Sequence, residues 1–184
     1  MKNRSLALLG AYTFVPLAPI VWVTESYAQK YLTIEEAQQL CFPAATRFEL
    51  TEQVLTEDQR ERIELQADVP VENETVQVWR VFHQTEQRGY LVLDHVIGKH
   101  LLIDYVVAIS PERRVTQVEI LEYRENYGAE IRDAAWRQNF VGKTSKNSLK
   151  LRKDIPNISG ATYSSLHVTE GVRRVLAMLD VIYP

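Results

Sequence analysis

Four strand-like segments follow one another in the middle of the chain, the first with a clear period-two alternation, and they constrain the fold more than any other feature. Gly98 and residues 110–114 supply turn signals between them. Short connections of this kind join antiparallel neighbours, so the pattern predicts an antiparallel sheet. The predicted strand segments cover residues 76–82, 89–100, 101–109 and 115–123.

Helices are predicted on both sides of these strands. Thr33 and Thr56 each stand three residues before a Glu or Gln, at Glu36 and Gln59, in the arrangement of a capping box. A further helix is predicted over residues 129–140, and Gly142 ends it. Together with the strands, these patterns predict an α+β fold, an antiparallel sheet flanked by helices, in a single domain.

The last helix has the most regular apolar spacing and runs to the end of the chain. Its predicted buried stripe is Val168, Val172, Val175, Leu176, Leu179 and Ile182. We expect Glu170, Arg173, Arg174 and Asp180 on the opposite, polar face. The domain organisation predicted from these patterns is a segment 1–28, an N-terminal helical extension over 29–75, and the main domain over 76–184.

The first 28 residues read as an export signal. Lys2 and Arg4 precede an apolar run without charges, and Ser26-Tyr27-Ala28 is a small-x-small motif that predicts cleavage after Ala28. The alternative is an uncleaved membrane anchor, because the apolar run nearly reaches the length that spans a bilayer. In either case we expect a periplasmic or otherwise exported protein.

Composition excludes several classes of protein and site. The only cysteine, Cys41, excludes an internal disulfide framework, a zinc cluster of cysteines and a C-x-x-C-H haem attachment. The net charge of −3 argues against a nucleic-acid binder. No Walker A motif, dinucleotide fingerprint or nucleophile elbow is present, and the four histidines lack metal-ligand spacing, so we predict neither a catalytic triad nor a metal site.

Residues 159–165, SGATYSS, form the segment with the clearest chemistry. A small loop that opens a helix presents free N–H groups and the positive end of the helix dipole, which suits a phosphate. The alternative is an ordinary helix start capped by a hydroxyl side chain. The preceding residues 143–153 are rich in lysine and arginine, and they are either a solvated loop or a surface that neutralises a phosphate or an acidic redox partner.

The SGATYS motif at residues 159–164 resembles the flavinylation motif of the FMN-binding domain family, which includes the periplasmic G subunit of Rnf complexes and the C subunit of the sodium-translocating NADH:quinone reductase. The resemblance covers about residues 89–180, including an acidic loop with Gly128 and the helix end at 140–143. It implies FMN joined through its phosphate to the hydroxyl of Thr162, attached by a magnesium-dependent flavin transferase that uses FAD.

The resemblance also implies the other cofactor-binding residues, which are Ser159, Gly160, Ala161, Ser164, Glu122, Gly128 and Trp136. Glu122 or Glu125 takes the acidic role of the family's loop, and Tyr127, Trp136 or Tyr163 packs near the isoalloxazine. One departure is Pro156, which stands where the family usually has Asp, with Asp154 two residues earlier. A second is the stretch 123–126, which replaces the family's usual Glu-Thr-Pro-Gly loop.

These observations predict an exported flavoprotein that transfers electrons between redox partners, such as a membrane oxidoreductase complex, rather than a stand-alone enzyme. The alternative is an unmodified domain that acts as a binding or assembly subunit of such a complex. A third hypothesis is an oxidoreductase that binds FMN without a covalent bond.

Overall fold

The computed structural model describes residues 29–184, and the predicted export signal at 1–28 lies outside this range. One six-stranded sheet, entirely antiparallel, runs in the order β1-β6-β5-β4-β3-β2. The four strands predicted from alternation are all present, and the predicted α+β class is confirmed. The strands are β1 (Gln29–Lys30), β2 (Arg47–Val54), β3 (Thr75–His83), β4 (Glu86–Ile97), β5 (Leu102–Ile109) and β6 (Val115–Tyr123).

The N-terminal part of the described chain is more than the helical extension that we expected. Helices α1 (Ile34–Cys41) and α2 (Glu57–Ala67) begin after Thr33 and Thr56, and both predicted capping boxes form. Between them, however, β2 pairs along its whole length with β3, and β1 pairs with β6. Both strands lie at edges of the sheet, so residues 29–75 complete the same sheet.

Helix α4 (Thr162–Ile182) packs on one face of the sheet and forms the main core with α2. Its predicted apolar stripe is buried, from Val168 to Leu179. The prediction of a solvated opposite face was wrong for Arg173 and Arg174, which are 9% and 8% exposed. Both guanidinium groups are buried because they bind backbone carbonyls of neighbouring loops, and Arg174 also pairs with Asp94.

The predicted helix over 129–140 is instead three short pieces. A 3₁₀ turn (Ala129–Arg132), the single-turn helix α3 (Ala134–Arg137) and a second 3₁₀ turn (Gln138–Phe140) follow one another. The break occurs at Asp133, whose backbone leaves the helical region (ψ 122°) and whose carboxylate accepts a hydrogen bond from the Ala135 N–H. An Asp that caps a new helix start competes with the continuing helix. Among residues 29–184, no helix has the length and apolar character needed to cross a membrane.

Candidate functional site

Three loops meet at one end of the sheet and enclose a cavity of about 700 Å³. The first is the turn that joins β4 to β5, the second is the loop that follows β6, and the third leads into α4. Most of the residues that line the cavity are polar or small, and two tyrosines lie at its rim. The cavity is lined by Lys99, His100, Glu125, Asn126, Tyr127, Gly128, Ala129, Glu130, Gly160, Ala161, Thr162, Tyr163 and Ser164.

The first turn of α4 brings unpaired backbone donors to this cavity. The helix begins at Thr162, and its N-cap residue, Ala161, offers no side-chain cap. The first N–H that bonds within this turn is that of Ser165, to the carbonyl of Ala161 (2.9 Å). The preceding N–H groups therefore carry the partial positive charge of the helix start. Such a helix start attracts an anion such as a phosphate.

The hydroxyl groups of the motif differ in how they are used. The Ser165 hydroxyl donates to the Ala161 carbonyl (2.9 Å), so this hydroxyl is already used in a bond to the backbone of the helix start. Ser164 is buried, and its Oγ lies 3.0 Å from the phenol oxygen of Tyr123. Within the described part of the chain, the Thr162 hydroxyl has no hydrogen-bond partner, and it lies in the cavity wall. Among the serine and threonine hydroxyls of the motif, that of Thr162 is therefore the one available for chemistry in this cavity.

Tyr123, at the end of β6, ties two of the three loops together. Its phenol donates to the carbonyl of Tyr127 (2.5 Å) and contacts Ser164 on α4. Burial raises the pKa of the Tyr123 phenol, and the Ser164 hydrogen bond offsets part of that rise. The phenol therefore stays protonated at neutral pH and serves as a fixed donor.

Gly128 allows the loop after β6 to touch the start of α4. Its φ of +98° is a conformation that favours glycine. A β-carbon at this position would lie 2.5 Å from the Tyr123 phenol oxygen and 2.9 Å from the Ala161 Cβ. The glycine predicted from the family motif thus has a physical reason, because any side chain would push the two loops apart.

The turn between β4 and β5 is held by the other two loops. Glu125 accepts hydrogen bonds from the N–H groups of His100 and Leu101 (2.8 Å for Leu101). Burial opposes ionisation of Glu125, but backbone hydrogen bonds from the turn outweigh it and lower the pKa of this carboxyl. From α4, the Nδ1 of His167 contacts the carbonyls of Ile97 (2.5 Å) and Gly98 (3.0 Å). Since both partners are acceptors, Nδ1 carries the hydrogen.

The predicted aromatic residues lie in two different settings. Tyr127 and Tyr163 are 84% and 55% exposed at the rim of the cavity, where a planar ligand could stack on them. Trp136 is buried outside the cavity wall, packs edge-on against Phe140, and donates from Nε1 to the carbonyl of Pro156 (2.8 Å). Trp136 therefore supports the loop that leads to the motif.

The other predicted residues divide between the cavity and its surroundings. Gly160 (φ +82°), Ala161, Thr162 and Ser164 line the cavity, whereas Ser159 is exposed beside it. Of the two acidic candidates, Glu125 lines the cavity, and Glu122 lies outside the wall, paired with Arg124 (2.9 Å). Asp154 binds Ser148 and the N–H of Lys150 (3.0 Å), and residues 143–153 contribute nothing to the wall.

Sequence reasoning missed Lys99, His100 and Asn126, which also line the cavity. The sequence puts Lys99 and His100 at the end of the predicted strand 89–100, beside the turn at Gly98, and neither residue has a local feature that marks a binding site. Only the folded chain shows that this turn lies beside the start of α4, more than 60 residues later.

Among curated proteins none matches this chain, whereas a solved structure and a protein family do. A solved structure, that of NqrC from Shewanella oneidensis, is similar at 19% sequence identity and a TM-score of 0.42, over 76% of this chain and 66% of that one. The chain thus spans just under two thirds of that protein's length. Residues 98–177 match the FMN-binding domain, so all three loops of the cavity lie within the matched segment, and the predicted resemblance to that family is confirmed.

Proposed function

We propose that this protein is an exported electron-transfer flavoprotein that carries FMN through a phosphoester bond to Thr162. The observation that supports this most directly is the Thr162 hydroxyl, which has no hydrogen-bond partner among residues 29–184 and lies in a cavity at an uncapped helix start. The match of residues 98–177 to the FMN-binding domain supports FMN as the ligand.

The cavity fits this cofactor in size and chemistry. Its volume of about 700 Å³ lies within the range of small-molecule and cofactor sites. The N–H groups at the start of α4 suit the phosphate, and Gly160 leaves open space because a β-carbon there would meet nothing within 4 Å. When bound, the isoalloxazine ring supplies the capacity to accept and donate electrons.

The proposed attachment is a phosphoryl transfer from FAD. The oxygen of the Thr162 hydroxyl attacks the FMN phosphorus of FAD, and the bond to the AMP phosphate breaks. The hydroxyl proton is lost and AMP leaves, so FMN remains esterified to the protein. A flavin transferase with bound magnesium would catalyse this step.

Export and electron-transfer partners belong to the same proposal. A covalent tether keeps the flavin on a protein outside the cytoplasm, where a lost cofactor could not be replaced. The exposed Tyr127 and Tyr163 would leave one edge of a stacked ring open to a redox protein or a membrane oxidoreductase complex. The N-terminal segment 1–28 carries the proposed export signal.

The test is the intact mass of protein co-expressed with a flavin transferase. We expect one FMN adduct on the wild type, its loss in Thr162→Val, and its retention in Thr162→Ser. Ser159→Ala is the matched control, because it removes an exposed hydroxyl of the same motif outside the cavity wall. An adduct that survives Thr162→Val, or no adduct on the wild type, would contradict the proposal.

A second function is favoured by one specific observation, which is Pro156 at the place of the family's usual Asp. The nearest acidic residue, Asp154, is engaged with Ser148 and Lys150, and these contacts lower the pKa of its carboxyl. If the transferase needs that acidic group, the domain would act unmodified as a binding or assembly subunit. Protein isolated from its native host without flavin fluorescence would favour this function over the first.

A further inference from the structure

The turn formed by residues 98–101 is the part of the cavity wall that the flavinylation motif does not explain. The N–H of Gly98 bonds to the carbonyl of Leu101 (2.8 Å), which closes the turn. Lys99 and His100, at its tip, line the same cavity as the segment that carries Thr162.

The turn is fixed by two side chains from other elements of the site. The carboxylate of Glu125 uses one oxygen, Oε1, to accept the N–H groups of His100 and Leu101. The imidazole of His167, from the second turn of α4, holds the carbonyls of Ile97 and Gly98. A hairpin tip held from both sides loses less conformational entropy when it binds a ligand.

Gly98 makes this close contact possible. It is buried, and a β-carbon there would lie 2.9 Å from Oε1 of Glu125 and 3.1 Å from its Cγ. The backbone of the turn therefore lies directly against the carboxylate. Glu125 has its charge compensated by these N–H groups, as the lowered pKa of its carboxyl indicates.

Lys99 is the only lysine or arginine among the residues that line the cavity in the described chain. In the proposed complex, the N–H groups at the start of α4 bind the FMN phosphate. The ammonium group of Lys99 is then available to interact with the isoalloxazine ring. Reduction of the isoalloxazine by two electrons and one proton leaves a net negative charge on the ring. A nearby fixed cation stabilises that charged form more than the neutral oxidised form.

We propose that Lys99 raises the reduction potential of the bound FMN, and that Glu125 positions Lys99 by holding the turn. This inference rests on the proposed function, since it requires FMN in the cavity. The two electrons come from a redox partner in the cell and from the electrode in the titration, and the proton comes from solvent.

The first experiment is a spectroelectrochemical titration of the flavinylated protein, with FMN content measured beforehand by intact mass. We expect Lys99→Gln to lower the midpoint potential by about 30 mV, which is a tenfold shift of a two-electron equilibrium. Lys99→Arg should keep most of the wild-type value. Lys146→Gln is the matched control, since it removes the same charge from an exposed residue outside the cavity, and we expect no change.

The second experiment separates the positioning role of Glu125 from its charge. Glu125→Gln and Glu125→Ala remove the same negative charge, but only Gln retains an oxygen that can accept the two N–H groups. We expect Glu125→Ala to have a lower potential than Glu125→Gln when Lys99 is present. The two variants should have equal potentials in the Lys99→Gln background.

The outcomes distinguish the two proposals. A wild type without FMN overturns the proposed function and the role of Lys99 with it. FMN at wild-type content together with an unchanged potential in Lys99→Gln overturns only the role of Lys99. Equal potentials for Glu125→Ala and Glu125→Gln in the presence of Lys99 overturn the positioning role of Glu125.

Discussion

The first turn of α4 and the middle of the same helix differ in how they treat polar groups. At the first turn, backbone N–H groups and the Thr162 hydroxyl lie beside a cavity and have no hydrogen-bond partner in the part of the chain that the structure describes. In the middle, the buried guanidinium of Arg174 binds Asp94 (2.8 Å) and the carbonyl of His95 (3.3 Å). A polar group without a protein partner costs the least free energy where a ligand or water can reach it, as at this first turn.

The buried cluster in the middle is centred on the Asp94 carboxylate. Besides Arg174, it accepts hydrogen bonds from the phenol of Tyr105 and from the side-chain amide of Asn73 (3.2 Å). The Tyr105 hydroxyl that binds Asp94 lies directly against Gly171 of α4. Because this cluster joins the helix to the sheet, it fixes α4 and thereby the position of its first turn. A helix that is anchored in its middle keeps its first turn in place although the polar groups of that turn lack partners in the described chain.

The strongest way to break this comparison is to remove the cation from the buried cluster. Arg174→Met leaves Asp94 buried without its counter-ion, and we expect the free energy of unfolding to fall by about 3 kcal/mol. Urea denaturation measures the change. The control is Arg62→Met on α2, where an exposed pair with Asp58 (3.6 Å) should contribute less than about 0.5 kcal/mol. Equal effects in the two variants would contradict the importance of the buried cluster.

Overpacking the contact between α4 and the sheet should have the next largest effect. In Gly171→Ala, the new methyl group would overlap the Tyr105 hydroxyl. We expect a loss of about 2 kcal/mol, even though alanine favours a helix. The double variant Tyr105→Phe, Gly171→Ala removes the overlapping oxygen, so Gly171→Ala should cost less there than in the wild type. Denaturation of the four proteins of this cycle measures the coupling, and strictly additive effects would argue against the contact.

At the start of α4, Gly128→Ala tests the contact between the loop that follows β6 and the loop that leads into the helix. We expect a loss of about 1–2 kcal/mol from backbone strain and a larger relative loss of FMN content, because the loop would be pushed from Ala161. Gly142→Ala is the matched control, since its φ is also positive (+79°) and its β-carbon would meet nothing within 4 Å. Similar FMN content in the two variants would show that the contact is unimportant.

The smallest effect expected is on the pH dependence of stability. Burial, first of all, and the neighbouring Asp94 hold the pKa of Tyr105 well above its usual value. The folded state therefore keeps a proton that the unfolded state loses, so stability is complete below about pH 10 and falls as the pH rises further, by at most about 1.4 kcal/mol per pH unit for this group. Tyr105→Phe should reduce the slope between pH 10 and 11 in denaturation experiments. Some decline should remain, because the pKa of Tyr123 is also raised.

Much of the fold could be predicted because its signals are local. Alternation in the first segment, strand-like apolar runs in the next three and the turn signals identified β3 to β6, and the Thr-x-x-Glu/Gln pattern identified the starts of α1 and α2. Strand β2 was missed although Phe48 and Leu50 alternate with polar residues, because the segment has no strong apolar run. In the structure it lies at the sheet edge, where Leu50 is 48% exposed. Its state depends on pairing with β3, which is a nonlocal interaction.

The amino-acid sequence by itself determined the motif at residues 159–164 and its resemblance to the FMN-binding domain, because those features are carried by consecutive residues. Only the tertiary structure decided which serine or threonine hydroxyl of the motif lies unpaired in the cavity wall, that Glu125 rather than Glu122 lines the cavity, and that Lys99 lines it as well. It also decided that Arg174 is buried against Asp94 rather than solvated. The physical reason is that burial and hydrogen-bond partners come from segments far apart in the chain, which no local pattern records.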